Sequence, residues 1–203
     1  TASYRDYNYT SAVIDAKAAA DYLAGLETVD GGNLGVMGWS QGGTDALLAA
    51  EAHPGTFQAV VTWSGALELN GASLFAGTSF EDAYAQAKKE GFYTMTFEWR
   101  EPLELGERWF QEVAETNILK VTADIKAPIL AINGKDDTTV TPDNAEKIVK
   151  AAANADSQLL LVDNCDHTYN VFSGDFTALY QTVDATAAFF QAQLIPAAAQ
   201  AAA

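Results

Sequence analysis

Leu34-Gly35-Val36-Met37-Gly38-Trp39-Ser40-Gln41-Gly42-Gly43 is the stretch from which the rest of the chain can be read. Its opening run, Leu34 to Met37, has the apolar composition of a strand buried on both faces. The run from Asp45 to Ala52 is Ala/Leu-rich and suits a helix. Between them, Gly38, Ser40 and Gly42 make a GxSxG pattern. A serine at that spacing sits on a sharp, strained strand-to-helix turn, and flanking positions without side chains let strand and helix approach closely. Its hydroxyl is then held out at the carboxyl end of a sheet, where the backbone N–H of Gln41, at a helix N-terminus, can face a developing oxyanion. The competing reading is a glycine-rich turn with an incidental serine; the neighbouring elements and the partners downstream favour the first.

Working outward, 203 residues can bury one sizeable core, so one domain is the expectation. Nearly half the residues are apolar, at 49%, yet no unbroken apolar segment is long enough to cross a bilayer. The formal net charge of -16 argues against nucleic acid or an anionic membrane as partner and is explained by solubility. The single cysteine, Cys165, excludes an internal disulfide and leaves the compartment, cytoplasmic or secreted, open. The chain opens without a methionine or a signal peptide, which reads as the middle of something longer. The Ala-rich tail 196–203 is expected to be frayed or disordered.

Taken in order, Thr1 to Thr10 reads as a polar, Tyr-rich loop. A helix follows from Ser11, with Val13, Ile14, Ala18, Tyr22, Leu23 and Leu26 near helical spacing, Thr10 or Ser11 as its cap and Gly25 near its stop. His53-Pro54-Gly55 ends the helix after Ser40, so His53 is read as a helix-end residue; Phe57 to Trp63 is the next buried strand, with Ser64 lining a pocket at its end. Residues 66–125 then break the strand-helix rhythm. Ser79 to Glu90 and Glu107 to Leu119 read as helices, and Phe92 to Trp99 alternates like a strand. This excursion is read as an inserted cap over the site, the alternative being an edge elaboration that only stabilises. The rhythm resumes with strand Pro128 to Asn133, helix Asn144 to Ala153, strand Gln158 to Val162 and helix Asp175 to Leu194. Helices between successive strands imply an α/β fold with a parallel sheet flanked by helices, its four strands ending on one rim.

That rim receives Ser40, the pair Asp136/Asp137 and His167. A serine hydroxyl is a poor nucleophile without an adjacent base, and the base needs an acid to fix its tautomer. The chain has two histidines, and with His53 on the opposite side His167 is the base. The acidic residues Asp136, Asp137, Asp163 and Asp166 with Cys165 match neither a calcium loop nor a zinc pattern, so no metal is expected, and Cys165 reads as a packing residue.

Gly38-Trp39-Ser40-Gln41-Gly42-Gly43, Gly134-x-x-Asp137-x-x-Val140-x-Pro142 and Asp166-His167 together resemble the α/β-hydrolases, within the group of carboxylesterases, cinnamoyl (feruloyl) esterases and prolyl-oligopeptidase-type catalytic domains. The resemblance implies an α/β-hydrolase fold, with the cap inserted between the strand after the nucleophile helix and the acid strand. It also selects Asp137 as the acid, with Asp136 as the fallback. It implies a serine esterase that forms an acyl-enzyme and needs no cofactor: Ser40 attacks, His167 moves the proton, Asp137 orients His167 and the Gln41 N–H stabilises the oxyanion. Trp39, Phe92, Phe97, Trp99 and Trp109 would contact an ester with an apolar or aromatic group. A peptidase of the prolyl-oligopeptidase type and a non-catalytic hydrolase-like fragment are the rival readings. Members of the fold normally have further strands before the elbow and a second oxyanion donor on a loop among them. Four strands are counted here, so the expectation is a carboxyl-terminal part whose sheet is completed by a missing amino-terminal segment or a second chain.

Overall fold

The computed structural model describes residues 3–71, 74, 75, 77–97 and 100–195. Its elements are α1 (Tyr9–Ala24), β1 (Gly35–Trp39), α2 (Gln41–Ala52), β2 (Ala59–Trp63), α3 (Phe80–Glu90), β3 (Phe92–Met95), β4 (Leu103–Gly106), α4 (Glu107–Glu115), α5 (Ile118–Asp124), β5 (Ile129–Gly134), α6 (Asp143–Ala151), β6 (Gln158–Val162) and α7 (Thr177–Leu194). They form two compact units, Ala16–Leu67 with Ile118–Ala203, and Thr1–Asp15 with Glu68–Asn117.

The larger unit is built on a four-stranded sheet of order β1-β2-β5-β6, parallel throughout. Helical connections make that possible, since parallel neighbours need a crossover between them. Successive side chains point to opposite faces. On one face, Ala59 and Val61 of β2 and Leu130 and Ile132 of β5 pack with Ala178 and Phe189 of α7. The alternate residues Val60, Thr62, Ile129 and Ala131 fill the other face and are likewise completely or almost completely buried. β5 is buried along its whole length, as its unbroken apolar run Ile129 to Ile132 requires of a central strand.

β1 departs from the sequence reading. Its residues are exposed or half-buried in alternation rather than buried on both faces, and Met37 is 46% exposed. The cause is its place in the sheet: it pairs with β2 on one side, and no other strand among the described residues pairs with it. α1 shows the same pattern. Its spacing suggested an apolar face, yet Ile14 is 60% and Tyr22 70% exposed. The cap of α1 also differs from expectation. Asn8 and Ser11 exchange backbone-to-side-chain hydrogen bonds (both 2.9 Å), so Asn8, not Thr10 or Ser11, closes the helix start, and Tyr4–Asp6 forms a 3-10 turn rather than open loop.

The smaller unit pairs β3 with β4 as an antiparallel hairpin and packs α3 and α4 against it through a cluster of Phe75, Phe80, Tyr84, Tyr93 and Phe110. Tyr84 stacks on Phe110 at 5.7 Å and 9°, and Phe75 meets Phe80 edge-on at 5.6 Å, the offset and edge geometries that aromatic quadrupoles favour. Ser79 caps α3, and Gly91 ends it in the left-handed region. The helix read over Glu107 to Leu119 is two helices, α4 and α5, broken at Thr116; α5 belongs to the sheet unit, where it packs on α2 and α6.

The central strand sets the stability of the sheet unit. Replacing fully buried Ile132 with alanine is expected to cost about 2–5 kcal/mol, seen as a lower urea midpoint with little change in slope.

Candidate active site

The elbow is built by close backbone contact. Ser40 closes β1 with φ 56° and ψ -124°, a left-handed conformation that costs a non-glycine residue about 1–3 kcal/mol and is held here by its neighbours. Its N–H donates to Trp63 O at 2.8 Å, and its carbonyl accepts from Gly43 N at 3.0 Å. A Cβ at Gly38 would stand 1.9 Å from Gly42 O, so this position admits only glycine; at Gly42 a Cβ would meet nothing within 4 Å. The sequence reading treated both flanking glycines as required, whereas the crowding falls on Gly38. Gln41 opens α2, so its N–H belongs to the positive, N-terminal end of that helix.

The acid turn and the histidine loop arrive from β5 and β6. Asp137 is 2% exposed, and its carboxylate accepts from the backbone N–H of Thr139 (2.9 Å) and Val140 (2.8 Å) and from His167 Nδ1 (2.8 Å). Burial would raise the pKa of this carboxyl, but the hydrogen bonds from His167 and Val140 and the attraction of His167 outweigh it and hold Asp137 below its ordinary value. The carboxylate therefore contributes stability above its unfolded pKa, near ~3.9, and that contribution is lost as pH falls through the lowered folded value. With Nδ1–H given to Asp137, the other ring nitrogen carries the lone pair; Nε2 lies 3.1 Å from Ser40 Oγ, which donates to it. Ser40, His167 and Asp137 thus form one continuous hydrogen-bonded series. Asp136 is exposed, and its N–H is used on Cys165 O at 3.1 Å.

Three supporting residues are not apparent from the sequence or sit differently from what it suggests. Asn133 follows the apolar run of β5, and its Nδ2 donates to Val140 O at 2.9 Å and reaches Asp137 Oδ2 at 3.4 Å, bracing the acid turn. A polar residue ending an apolar strand one position before Gly134 was the available signal. Tyr169 carried none: it is buried beneath the site, its hydroxyl 3.2 Å from Ser64 Oγ, and burial pushes its pKa up. Ser64, read as pocket lining, is completely buried in that pair instead. Cys165 is a buried packing residue whose thiol is pushed up to about 11, by burial first and by Asp166, Asp137 and Asp136 after it, so it is no thiolate at neutral pH. His53 caps the end of α2.

Trp39 directs its indole N–H to His167 O at 2.9 Å. Phe92 lies on β3 with the Arg5 guanidinium 3.7 Å over its ring, and Phe97 is half-buried beyond that strand. Trp109 is a correction: it is 3% exposed, packed edge-on to Phe110 at 4.9 Å in the core of the smaller unit, and forms no open wall. Trp99 lies outside the described residues. Among the described residues, no group of three or more His, Cys, Asp or Glu side chains is placed to hold a metal ion, and no helix is long and apolar enough to cross a membrane.

The family model described as "Prolyl oligopeptidase family" matches residues 3–195. Among solved structures, Est1E from Butyrivibrio proteoclasticus with ferulic acid bound is 18% identical with a TM-score of 0.74, covering 95% of this chain and 71% of its own. A monoacylglycerol lipase from Paleococcus ferrophilus is 18% identical at 0.68, covering 92% and 76%. A puromycin-hydrolyzing peptidase from Mycobacterium tuberculosis is 23% identical at 0.64, covering 91% of this chain and 25% of that one. No curated protein matches the chain.

The two glycines of the elbow are expected to separate on mutation. Gly38→Ala forces strand and helix apart and lowers stability by about 3 kcal/mol, whereas Gly42→Ala changes the thermal midpoint little.

Proposed function

Because the chain belongs to the prolyl oligopeptidase family, hydrolases of the α/β-hydrolase fold, we propose that it is a serine esterase that cleaves carboxylic esters through an acyl-enzyme. The observation that carries this is the series Ser40 Oγ to His167 Nε2 at 3.1 Å and His167 Nδ1 to Asp137 Oδ2 at 2.8 Å. Ser40 Oγ attacks the ester carbonyl while its proton passes to His167 Nε2. The buried carboxylate of Asp137 holds the tautomer and offsets the charge on the imidazolium. The tetrahedral oxyanion faces the Gln41 N–H. Its collapse breaks the C–O bond, and the leaving alkoxide takes the proton from Nε2. Water, deprotonated by the same nitrogen, then releases the acid and restores Ser40.

An apolar or aromatic acyl or alcohol group is the proposed substrate feature. Support comes from the ferulic acid bound to one structural neighbour and from another neighbour, a monoacylglycerol lipase. Trp109 is withdrawn as a candidate contact because it is enclosed. A second reading, cleavage of a peptide amide, is favoured by the family description and by the peptidase neighbour. Turnover of an aryl ester against that of a proline-containing peptide amide separates the two.

Ser40→Ala is expected to lower ester turnover on the order of ten-thousandfold or more and to abolish labelling by a fluorophosphonate, with the fold intact by circular dichroism. A parent chain that the fluorophosphonate leaves unlabelled would remove the enzyme reading in favour of a non-catalytic fragment. Asp137→Asn should cost roughly 10³–10⁴ in kcat, since an amide cannot keep Nδ1 protonated by accepting in the same way, while Asp136→Asn retains near-parental turnover.

A further inference from the structure

We propose that Trp39 is a positioning residue for His167: its indole clamps the histidine loop to the elbow and thereby sets the Ser40–His167 distance. This rests on the reading of Ser40 and His167 as nucleophile and base. The sheet order shows why a clamp is needed. Ser40 follows β1 at one end of the sheet, and His167 follows β6 at the other, three strand spacings or roughly 14 Å away. The loop after β6 must therefore reach back over β5 and β2 to bring its imidazole to Ser40.

The near end of that loop is well held. Lys135 N donates to Val162 O at 2.9 Å and Asp136 N to Cys165 O at 3.1 Å, tying the exit of β6 to β5. The loop is also braced on itself. Asp166 Oδ1 accepts from the N–H of Thr168 (2.8 Å) and Asn170 (2.9 Å), and Asn170 Oδ1 accepts from Asp166 N (3.1 Å). None of these bonds touches β1.

The far end is gripped by two consecutive residues at two different points. Trp39 Nε1 donates to the carbonyl of His167 at 2.9 Å, and Ser40 Oγ meets the ring of the same residue at 3.1 Å. The indole lies 5.2 Å from the imidazole, tilted by 37°, so it also limits rotation of the ring. A rotated or withdrawn imidazole breaks the Ser40 bond without disturbing the sheet. Trp39 is 46% exposed, so changing it opens no cavity in the core.

The test compares the parent with Trp39→Phe, which keeps a ring and loses the N–H, and Trp39→Leu, which loses both. Each is assayed with a small acetyl ester and a bulky aryl-acyl ester. The expected result is a kcat loss of about tenfold for Trp39→Phe and about a hundredfold for Trp39→Leu, equal for both esters and with KM near the parent value. The fluorophosphonate labelling rate should fall by the same factors. A loss confined to KM, or larger for the bulky ester, would make Trp39 a substrate wall and overturn the proposal. Amide hydrogen exchange gives a readout independent of turnover: residues 164–170 should exchange at least tenfold faster in Trp39→Phe, with α2 unchanged. Unaltered exchange there overturns the clamp even if the parent is active. A parent that fails to label, with exchange nevertheless accelerated in the variant, sinks the enzyme reading and leaves the clamp standing.

Discussion

A carboxylate out of reach of water survives only if its charge is answered, and Asp137 is the group on which this structure turns. The turn after β5 is folded so that two backbone N–H groups converge on Oδ1 while His167 and Asn133 approach Oδ2. The acid is ionised because the loop is folded, and the loop stays folded because the acid is ionised. Gly134 permits the approach, since a Cβ there would lie 2.1 Å from Cys165 O. The imidazole is drawn to this fixed charge, and its far nitrogen is thereby presented to Ser40.

Strain is gathered on the same rim. Ser40, Ser64, Asn164, Tyr169 and Asn170 are the non-glycine residues with positive φ among those described, and each follows a strand of the large sheet or lies in the histidine loop. Left-handed backbone is tolerated where the surroundings over-determine it, and that is the case here. Ser64 and Tyr169 hold one another through their hydroxyls in the buried layer, and Asn170 is tied to Asn164 O at 2.6 Å. The rigid sheet supplies the foundation against which these conformations are maintained.

Much of this was legible because the informative residues are local in sequence. GxSxG, the Gly134-to-Pro142 turn and Asp166-His167 each follow a short apolar run and together mark three strand ends, and the unbroken run of β5 declares a central strand. What escaped depends on partners distant in the chain. β1 has the composition of a buried strand, and only the sheet order shows that no described strand pairs with its outer side. Trp109 reads as part of a helix's apolar stripe, and only Phe80 and Phe110 around it show that the stripe is enclosed rather than facing substrate. Ser64 and Tyr169 are 105 positions apart, and nothing in either neighbourhood announces the other. Between Asp136 and Asp137, composition was silent and the family pattern decided.

Along its outer side, where no described strand pairs with it, β1 keeps the hydrogen-bonding capacity of an interior strand. Leu34 O accepts from Gln58 N and Ser40 N donates to Trp63 O, so the alternate residues Gly35, Met37 and Trp39 turn their peptide groups outward. Among the described residues no strand pairs with that row, and neither lysine nor proline guards it, so it can take a further strand, from a preceding segment or from another chain. Mutual repulsion between bodies of charge -16 opposes the encounter, over a reach that shrinks to about 10 Å at 0.1 M salt and about 3 Å at 1 M. Where no further strand occupies that edge, dilute buffer keeps copies apart and concentrated salt lets their edges meet.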